Sequence, residues 1–233
     1  MKIHVGTSGF AYKEWRGTFY PSTLAPEEML RSYARRLGAV EINNTFYRMP
    51  TAKLLEGWAE QVPKSFRFAF KAPQVITHFK RLRRVDEEVD YLFRTLSVLG
   101  PRLGPVLFQF PASFRSDPPV LEEFLNRIPG KPACAFEFRH PSWVEEGVVD
   151  LLRKHGGSLC VADTDESPAA EIPATASWGY LRLRRADYSD GELAQWAKRI
   201  LSQKWKSAFV FIKHEDGGKG AQMALRLAEL AGG

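Results

Sequence analysis

Cysteine is scarce: the 233 residues hold two, Cys134 and Cys160. One bridge could not staple a chain of this size, so stability must come from an apolar core, and a reducing cytoplasm is the expected setting. Long apolar runs are missing too. None approaches the ~18 residues of a membrane-crossing helix, so no membrane partner is expected. The opening Met1-Lys2-Ile3-His4-Val5-Gly6 lacks the apolar stretch of a signal peptide and reads as the start of a strand. No Gly-x-Gly-x-x-Gly follows a strand candidate and no Walker-type phosphate loop occurs, which argues against a nucleotide cofactor. His-x-His and His-Glu-x-x-His pairs, the usual metal spacings, are also absent.

What is present has the balance of a globular domain: 44% apolar and 26% charged residues, with a formal charge of +6. That excess favours anionic partners. Part of it sits in the run Lys80-Arg81-Leu82-Arg83-Arg84 and part in Arg182, Arg184 and Arg185. Two readings stay open here: a solvated loop plus a cluster at a site, or a nucleic-acid surface.

Short β-branched or aromatic runs alternate with amphipathic stretches along the whole chain. Strands are expected at residues 3–8, 40–43, 66–71, 105–110, 134–138, 158–163, 179–184 and 208–213. Helices are expected at 27–37, 52–61, 87–99, 118–128, 142–155, 190–204 and 220–231, from N-cap, proline-first and glycine-stop signals. After Asp163, Ser167-Pro168 and Ile172-Pro173 break any helix, which leaves an irregular connection. Strict alternation implies a parallel sheet, and eight units most simply close into a compact (β/α)8 barrel of the TIM type, one domain over residues 1–233. An open doubly wound α/β sheet is the alternative.

Strands covered on both faces should be apolar throughout. These are not, and the exceptions gather at the C-terminal ends. They are Glu41 and Asn43, Arg67 and Lys71, Gln109, Glu137 and Arg139, Asp163, and Arg182 and Arg184. Period-2 alternation sends the polar set into the barrel and its aromatic partners toward the helices. Buried charges must pair or line a wet pocket. The set is therefore either an active site at the barrel mouth or an ion-pair network filling a narrow interior, with Arg67 and Glu41 the deeper members.

The same residues resemble a known family. Val5-Gly6-Thr7-Ser8-Gly9-Phe10 with Tyr12-Lys13-x-Trp15, Val40-Glu41-Ile42-Asn43-Asn44-Thr45-Phe46-Tyr47, and Phe66-x-Phe68-Ala69-x-Lys71-Ala72-Pro73 with Ile76-Thr77-His78 are similar to signatures of the YecE-like family. Gln109-x-Pro111, Glu137-Phe138-Arg139-His140-Pro141-Ser142-Trp143 and Tyr180-Leu181-Arg182-Leu183 continue the resemblance over essentially the whole chain. It implies a TIM-like barrel and supplies no reaction. Two stretches depart from the family pattern. Arg184-Arg185 stands where many members carry His, and Lys213-His214 stands where they carry Asn-Asn. Met223 replaces a further Asn. Titratable groups in place of amides point to a different or more anionic ligand.

Glu137, on a strand end among the cations Lys71 and Arg139, is the first candidate general acid/base, with Asp163 as its partner and His214 as a proton-transfer histidine. Lys71 could anchor an anion or, if desolvated, form a Schiff base. Arg139, Arg182, Arg184, Lys213, Gln109, Asn43, Glu41 and Tyr47 complete the expected substrate contacts. Glu41, Glu137, Asp163 and His214 could together hold a metal, but the surrounding arginines and lysines argue against it, and the cofactor is left unknown. Cys134 and Cys160 read as buried thiols on the apolar face, and His140 as a packing residue. The leading function is an isomerase-, epimerase- or hydrolase-type acid–base enzyme acting on a small anionic hydroxylated metabolite, a sugar or sugar phosphate, at the C-terminal mouth of the barrel. The alternative is a nucleic-acid-interacting protein or nuclease, and a non-catalytic metabolite binder is third.

Overall fold

The computed structural model describes residues 1–128, 132–169, 171–213 and 216–232. Among them are nine parallel strands, in the order β6-β5-β4-β3-β2-β1-β9-β8-β7. These are β1 (Lys2–Ser8), β2 (Ala39–Ile42), β3 (Arg67–Lys71), β4 (Leu103–Gln109), β5 (Cys134–Glu137), β6 (Ser158–Leu159), β7 (Val161–Asp163), β8 (Trp178–Leu183) and β9 (Ser207–Ile212). The first and last names in that order are two halves of one expected strand, interrupted at Cys160. β6 pairs with β5, the Cys160 amide donates to the Phe136 carbonyl at 2.8 Å, and β7 pairs with β8. The ring therefore closes through residues 158–163, and the protein is an α/β barrel of the TIM type with eight strand positions.

The same described residues hold seven α-helices: α1 (Met29–Ala34), α2 (Ala52–Gln61), α3 (Asp86–Leu96), α4 (Pro118–Arg127), α5 (Glu146–His155), α6 (Asp190–Leu201) and α7 (Lys219–Leu230). The capping signals work as chemistry predicts. Thr51 and Asp117 accept from the Leu54 and Val120 amides, Ser189 and Glu192 form a reciprocal capping box, and Gly156 ends α5 in the left-handed region at φ 66°. Two helices are shorter than expected because their ends tighten into 3-10 turns, Pro26–Glu28 before α1 and Ser97–Arg102 after α3. Ser142 does not cap α5. Its hydroxyl accepts from the Ser116 amide, and buried Trp143, whose Nε1 donates to the Phe114 carbonyl at 2.7 Å, holds the chain in a separate turn. The stretch after Asp163 contains no helix among its described residues.

The sequence alternation becomes two apolar layers. Phe68, Phe70, Phe108 and Phe136 point outward into the core beneath the helices. Ala39, Ala69, Leu107, Ala135, Cys160, Tyr180, Phe209 and Phe211 form a separate cluster inside the barrel. Alanine on β2, β3 and β5 leaves room for the large side chains of β8 and β9, and a barrel interior of fixed width must distribute its volumes this way. Cys160 is thus an inner residue, whereas Cys134 lies in the outer core. The shared face expected for the two thiols does not hold, because Cys160 sits one step from outward-facing Val161. At the N-terminal end of the barrel His4 stacks on Phe209 at 4.7 Å, and Arg67 turns back to the Lys64 and Phe66 carbonyls. Arg67 is therefore a floor residue outside the polar cluster described below.

β1 and β2 approach so closely that the Tyr33 hydroxyl bridges them, accepting from the Thr7 amide at 2.9 Å and donating to the Ala39 carbonyl at 2.8 Å. A Cβ on Gly6 would meet that carbonyl at 1.9 Å, so only glycine fits. Gly6→Ala is expected to destabilise the fold by about 3 kcal/mol or more, in the upper range of overpacking. Gly38→Ala, with open space around its Cβ, should stay within ~0.5 kcal/mol. Denaturant midpoints of the two variants check the contrast.

Candidate active site

Alternation brings Glu41 from β2, Gln109 from β4, Glu137 from β5 and Arg182 from β8 to one level inside the barrel, and all four are buried. Gln109 and Glu137 are register partners, and Gln109 donates to the Phe110 carbonyl at 3.0 Å. Arg182 is the hub. Its Nη1 donates to Glu137 Oε2 at 2.7 Å and its Nη2 to Glu41 Oε1 at 2.9 Å. Glu41 accepts three more hydrogen bonds: from Ser8 Oγ at 2.8 Å, Asn43 Nδ2 at 2.9 Å and the Tyr180 hydroxyl at 2.8 Å. On Glu137, Oε1 faces exposed Arg139, whose Nε lies at 3.2 Å, and the Cys160 thiol lies 4.0 Å from Oε2.

Charge states follow from these contacts. Burial alone would raise the Glu41 pKa. The charge of Arg182, then hydrogen bonds from Asn43, Ser8 and Tyr180, outweigh it and bring the value from 4.5 down to about 2. Glu137 is lowered in the same way, burial being overcome by Arg182 and Arg139. Burial also works against the charge of Arg182, but the two carboxylates raise its pKa well above the ordinary value. Burial and then the nearby Glu137 charge push the Cys160 thiol up, so it is a neutral group.

Above this layer stand cations with fewer partners. Lys71 ends β3 with its Nζ 3.9 Å from the centre of the Phe46 ring. Among the described residues it has no hydrogen bond and no carboxylate within ion-pair distance. Burial, then the charge of Arg182, lowers its pKa from 10.5 to about 8, against the opposing pull of Glu137. Arg184 follows β8 and is likewise lowered by burial and by Arg182. Its guanidinium has no hydrogen-bond or ion-pair partner among the described residues. His78 packs edge-on against Phe46 at 4.8 Å, its Nδ1 2.8 Å from the Thr77 hydroxyl, and is lowered by burial, Lys71 and Arg139.

The remaining candidates lie elsewhere. Asp163 takes the outward face that Val161 shares, and it is buried in a second network. Its Oδ2 accepts from Arg185 Nε and the Tyr188 hydroxyl, both at 2.8 Å, and its Oδ1 from the Ala169 amide at 2.8 Å. Glu137 and Asp163 therefore do not face one another, and the carboxylate that shares the site with Glu137 is Glu41. Tyr47 is 77% exposed and touches Phe46 edge-on. Lys213 follows β9, partly buried, its amide donating to the Leu183 carbonyl at 2.9 Å. His214 lies outside the described residues, and no group of three His, Cys, Asp or Glu among those residues is placed to hold a metal ion.

Sequence reading passed over Ser8, Tyr180 and His78 as site members. Tyr180 was legible, since it shares the face of Arg182 two residues on. Ser8 and His78 carry no such signal, because only closure of the ring and the path of the loop after β3 bring them in. The basic run 80–84 is largely engaged locally: Lys80 pairs with Glu88 at 2.6 Å, Arg83 pairs with Asp117, and Arg81 Nη2 lies 3.3 Å from Ser113 Oγ. No helix among the described residues is long and apolar enough to cross a membrane.

Comparison with known proteins matches residues 4–233 to the family described as "Protein of unknown function DUF72". The chain is 34% identical over 155 residues to the UPF0759 protein YecE of Escherichia coli (strain K12), a match that covers 66% of this chain and 54% of that protein. The aligned part thus spans about half the length of this relative. Identity to the UPF0759 protein YunF of Bacillus subtilis (strain 168) is 24%, across 98% of this chain and 94% of that one. The crystal structure of a DUF72 family protein from Thermotoga maritima superposes with a TM-score of 0.86 at 28% identity, over 100% of both chains.

The depressed pKa of Glu41 has a stability consequence of definite sign. A carboxylate with its folded value below its unfolded value stabilises the fold above the unfolded pKa and loses that contribution as pH falls through the folded one. The native protein should therefore lose stability between about pH 4.5 and about pH 2 through this group. Glu41→Gln is expected to be less stable at pH 7 and to show a shallower decline over that window. Urea midpoints at a series of pH values measure both. Removing the hub itself, as in Arg182→Met, leaves buried Glu41 without a cationic partner and Glu137 with only exposed Arg139, and should cost about 3–5 kcal/mol.

Proposed function

The chain belongs to the DUF72 family of proteins of unknown function, and from its own site we propose an acid–base enzyme that acts on a small anionic, hydroxylated substrate, a sugar acid or sugar phosphate, at the C-terminal mouth of the barrel. The observation that carries this reading is the imbalance of charge. Four cationic side chains (Lys71, Arg139, Arg182 and Arg184) share two carboxylates, and Arg182 alone engages both of those. Lys71 and Arg184 are left with no carboxylate among the described residues, half-desolvated in the field of the same two glutamates. A bound anion is the group that would balance them.

In this reading Arg184 and Arg139 hold the anionic end of the substrate. Glu137, ionised and oriented by Arg182, is the proton acceptor, and Lys71, its pKa lowered to about 8, is the second titratable group at the mouth. Glu41 is the positioning residue that holds Arg182. Asp163 positions the connection after β7 through the Ala169 amide, Arg185 and Tyr188. The nucleic-acid alternative has weaker support, since Arg182 is buried and Lys80 and Arg83 already carry carboxylate partners.

A thermal-shift and calorimetric screen of sugar phosphates, uronates, aldonates and inorganic phosphate tests the reading. Anions are expected to raise the melting temperature where neutral sugars do not, and Arg184→Ala should weaken that binding by roughly 10- to 100-fold, the worth of a charged hydrogen bond. Once a turnover is found, Glu137→Gln should abolish it while anion binding persists. Equal binding of neutral sugars, or duplex DNA binding that falls steeply with salt and disappears when Lys80 and Arg84 are neutralised, would overturn the proposal.

A further inference from the structure

Three exposed lysines of this protein are tied down by carboxylates: Lys80 by Glu88 at 2.6 Å, Lys154 by Glu122 at 2.9 Å and Lys219 by Asp187 at 2.7 Å. Lys71 is held differently. Its ammonium rests on the face of Phe46 at 3.9 Å, at the end of β3, half-buried beside the Arg182–Glu137 pair, and the guanidinium acts on it more strongly than the carboxylate. Among the described residues the amine makes no hydrogen bond or ion pair, and it is partly desolvated with a like charge, Arg182, nearby. These are the conditions that activate a lysine as a nucleophile.

Glu137, paired with Arg182 at 2.7 Å, is the second group the chemistry would use. Arg182 and Arg139 hold its carboxyl below the usual range, so it is a weak base. A carboxylate removes a proton from a carbon next to a carbonyl against a large difference in basicity. An iminium group in place of the carbonyl narrows that difference, because it draws the electron pair into the C=N bond. The two peculiarities of the mouth, an activated amine and a weak base, fit one chemistry.

We infer that Lys71 forms a covalent imine with the carbonyl group of a small anionic aldehyde or ketone, whose anionic end is held by Arg139 and Arg184. The inference rests on the reading of the mouth as an anion site and narrows its substrate to carbonyl compounds. In the step itself, neutral Nζ adds to the carbonyl carbon and a C–N bond forms. The carbonyl oxygen then leaves as water, carrying the two hydrogens of the amine, so the step needs no oxidant and no further reactant. Protonation of the imine nitrogen gives the iminium, and Glu137 accepts the proton from the adjacent carbon.

The charged groups that act on the amine are Glu41 from β2, Glu137 and Arg139 from β5 and its end, and Arg182 from β8, with His78 of the loop after β3 also close by. Their summed effect, with burial, leaves about one amine in ten neutral at pH 7, against roughly one in three thousand for an ordinary lysine. Nucleophilicity falls as pKa falls, which offsets about half of that advantage on a logarithmic scale and leaves a preference of more than about tenfold.

The full chain is incubated at pH 7 with glyceraldehyde 3-phosphate, reduced with borohydride and mapped by peptide mass. The expected result is an adduct on Lys71 at more than about tenfold the level on Lys80 or Lys154, suppressed by inorganic phosphate and absent in Lys71→Arg. Uncharged glyceraldehyde should label Lys71 far more slowly. In parallel, phosphate binding is followed by thermal shift in the native chain and in Arg184→Ala. Phosphate binding that depends on Arg184, with no preference for Lys71 in the adduct map, overturns the imine and leaves the anion site standing. Equal labelling of Lys71 by the charged and the neutral aldehyde, without phosphate stabilisation, overturns the anion site and with it the substrate class inferred here.

Discussion

Arg182 is a charge with no access to water, divided between Glu41 and Glu137. Burying any one of the three alone would cost several kcal/mol, and together their fields and hydrogen bonds offset most of that penalty. The arrangement also ties together three strands that are far apart in the chain, since the Arg182 contacts span 141 and 45 residues. Much of the chemistry at the mouth follows from it. Arg182 keeps both glutamates ionised and weakly basic, and its own charge helps to depress Lys71 and Arg184 above it.

The barrel gives this cluster its space. Alanines on β2, β3 and β5 face Tyr180, Phe209 and Phe211, so the interior is filled without displacing the guanidinium. Tyr180 serves both purposes, packing against Phe211 at 5.3 Å and donating its hydroxyl to Glu41. A polar group on a large ring is how a narrow interior can be dry at one level and hydrogen-bonded at the next. Outside the ring, Asp163 does comparable work for the irregular connection after β7, where Arg185 and Tyr188 replace a helix as its anchor.

The resemblance to YecE-like proteins was written in strings of strand-end residues, and those strings are where the structure puts its polar cluster: Ser8, Glu41, Asn43, Lys71, Gln109, Glu137, Arg139 and Arg182. Period 2 made most of this legible. The phenylalanines of β3 to β5 mark the outer face, so the residues between them must point inward. The same rule, applied strictly, places Asp163 with Val161 on the outer face; reading it as a partner of Glu137 followed its strand-end position rather than its parity. Arg67 also obeys the parity but sits at the opposite end of the barrel, because depth along a strand is set by the stagger of its neighbours.

The amino-acid order alone settled what is local: which segments are strands and helices, where caps and glycines end them, and which face of each strand is polar. These depend on backbone dihedrals and on alternation within a few residues. What only the folded barrel decided is pairing. That Glu41 and Glu137 meet on one guanidinium, that Lys71 meets a ring instead of a carboxylate, and that the sixth strand breaks at Cys160 to reach both neighbours all depend on how the sheet staggers as it closes. Coulomb energy depends on distances between residues more than a hundred positions apart, and nothing within a single segment specifies them.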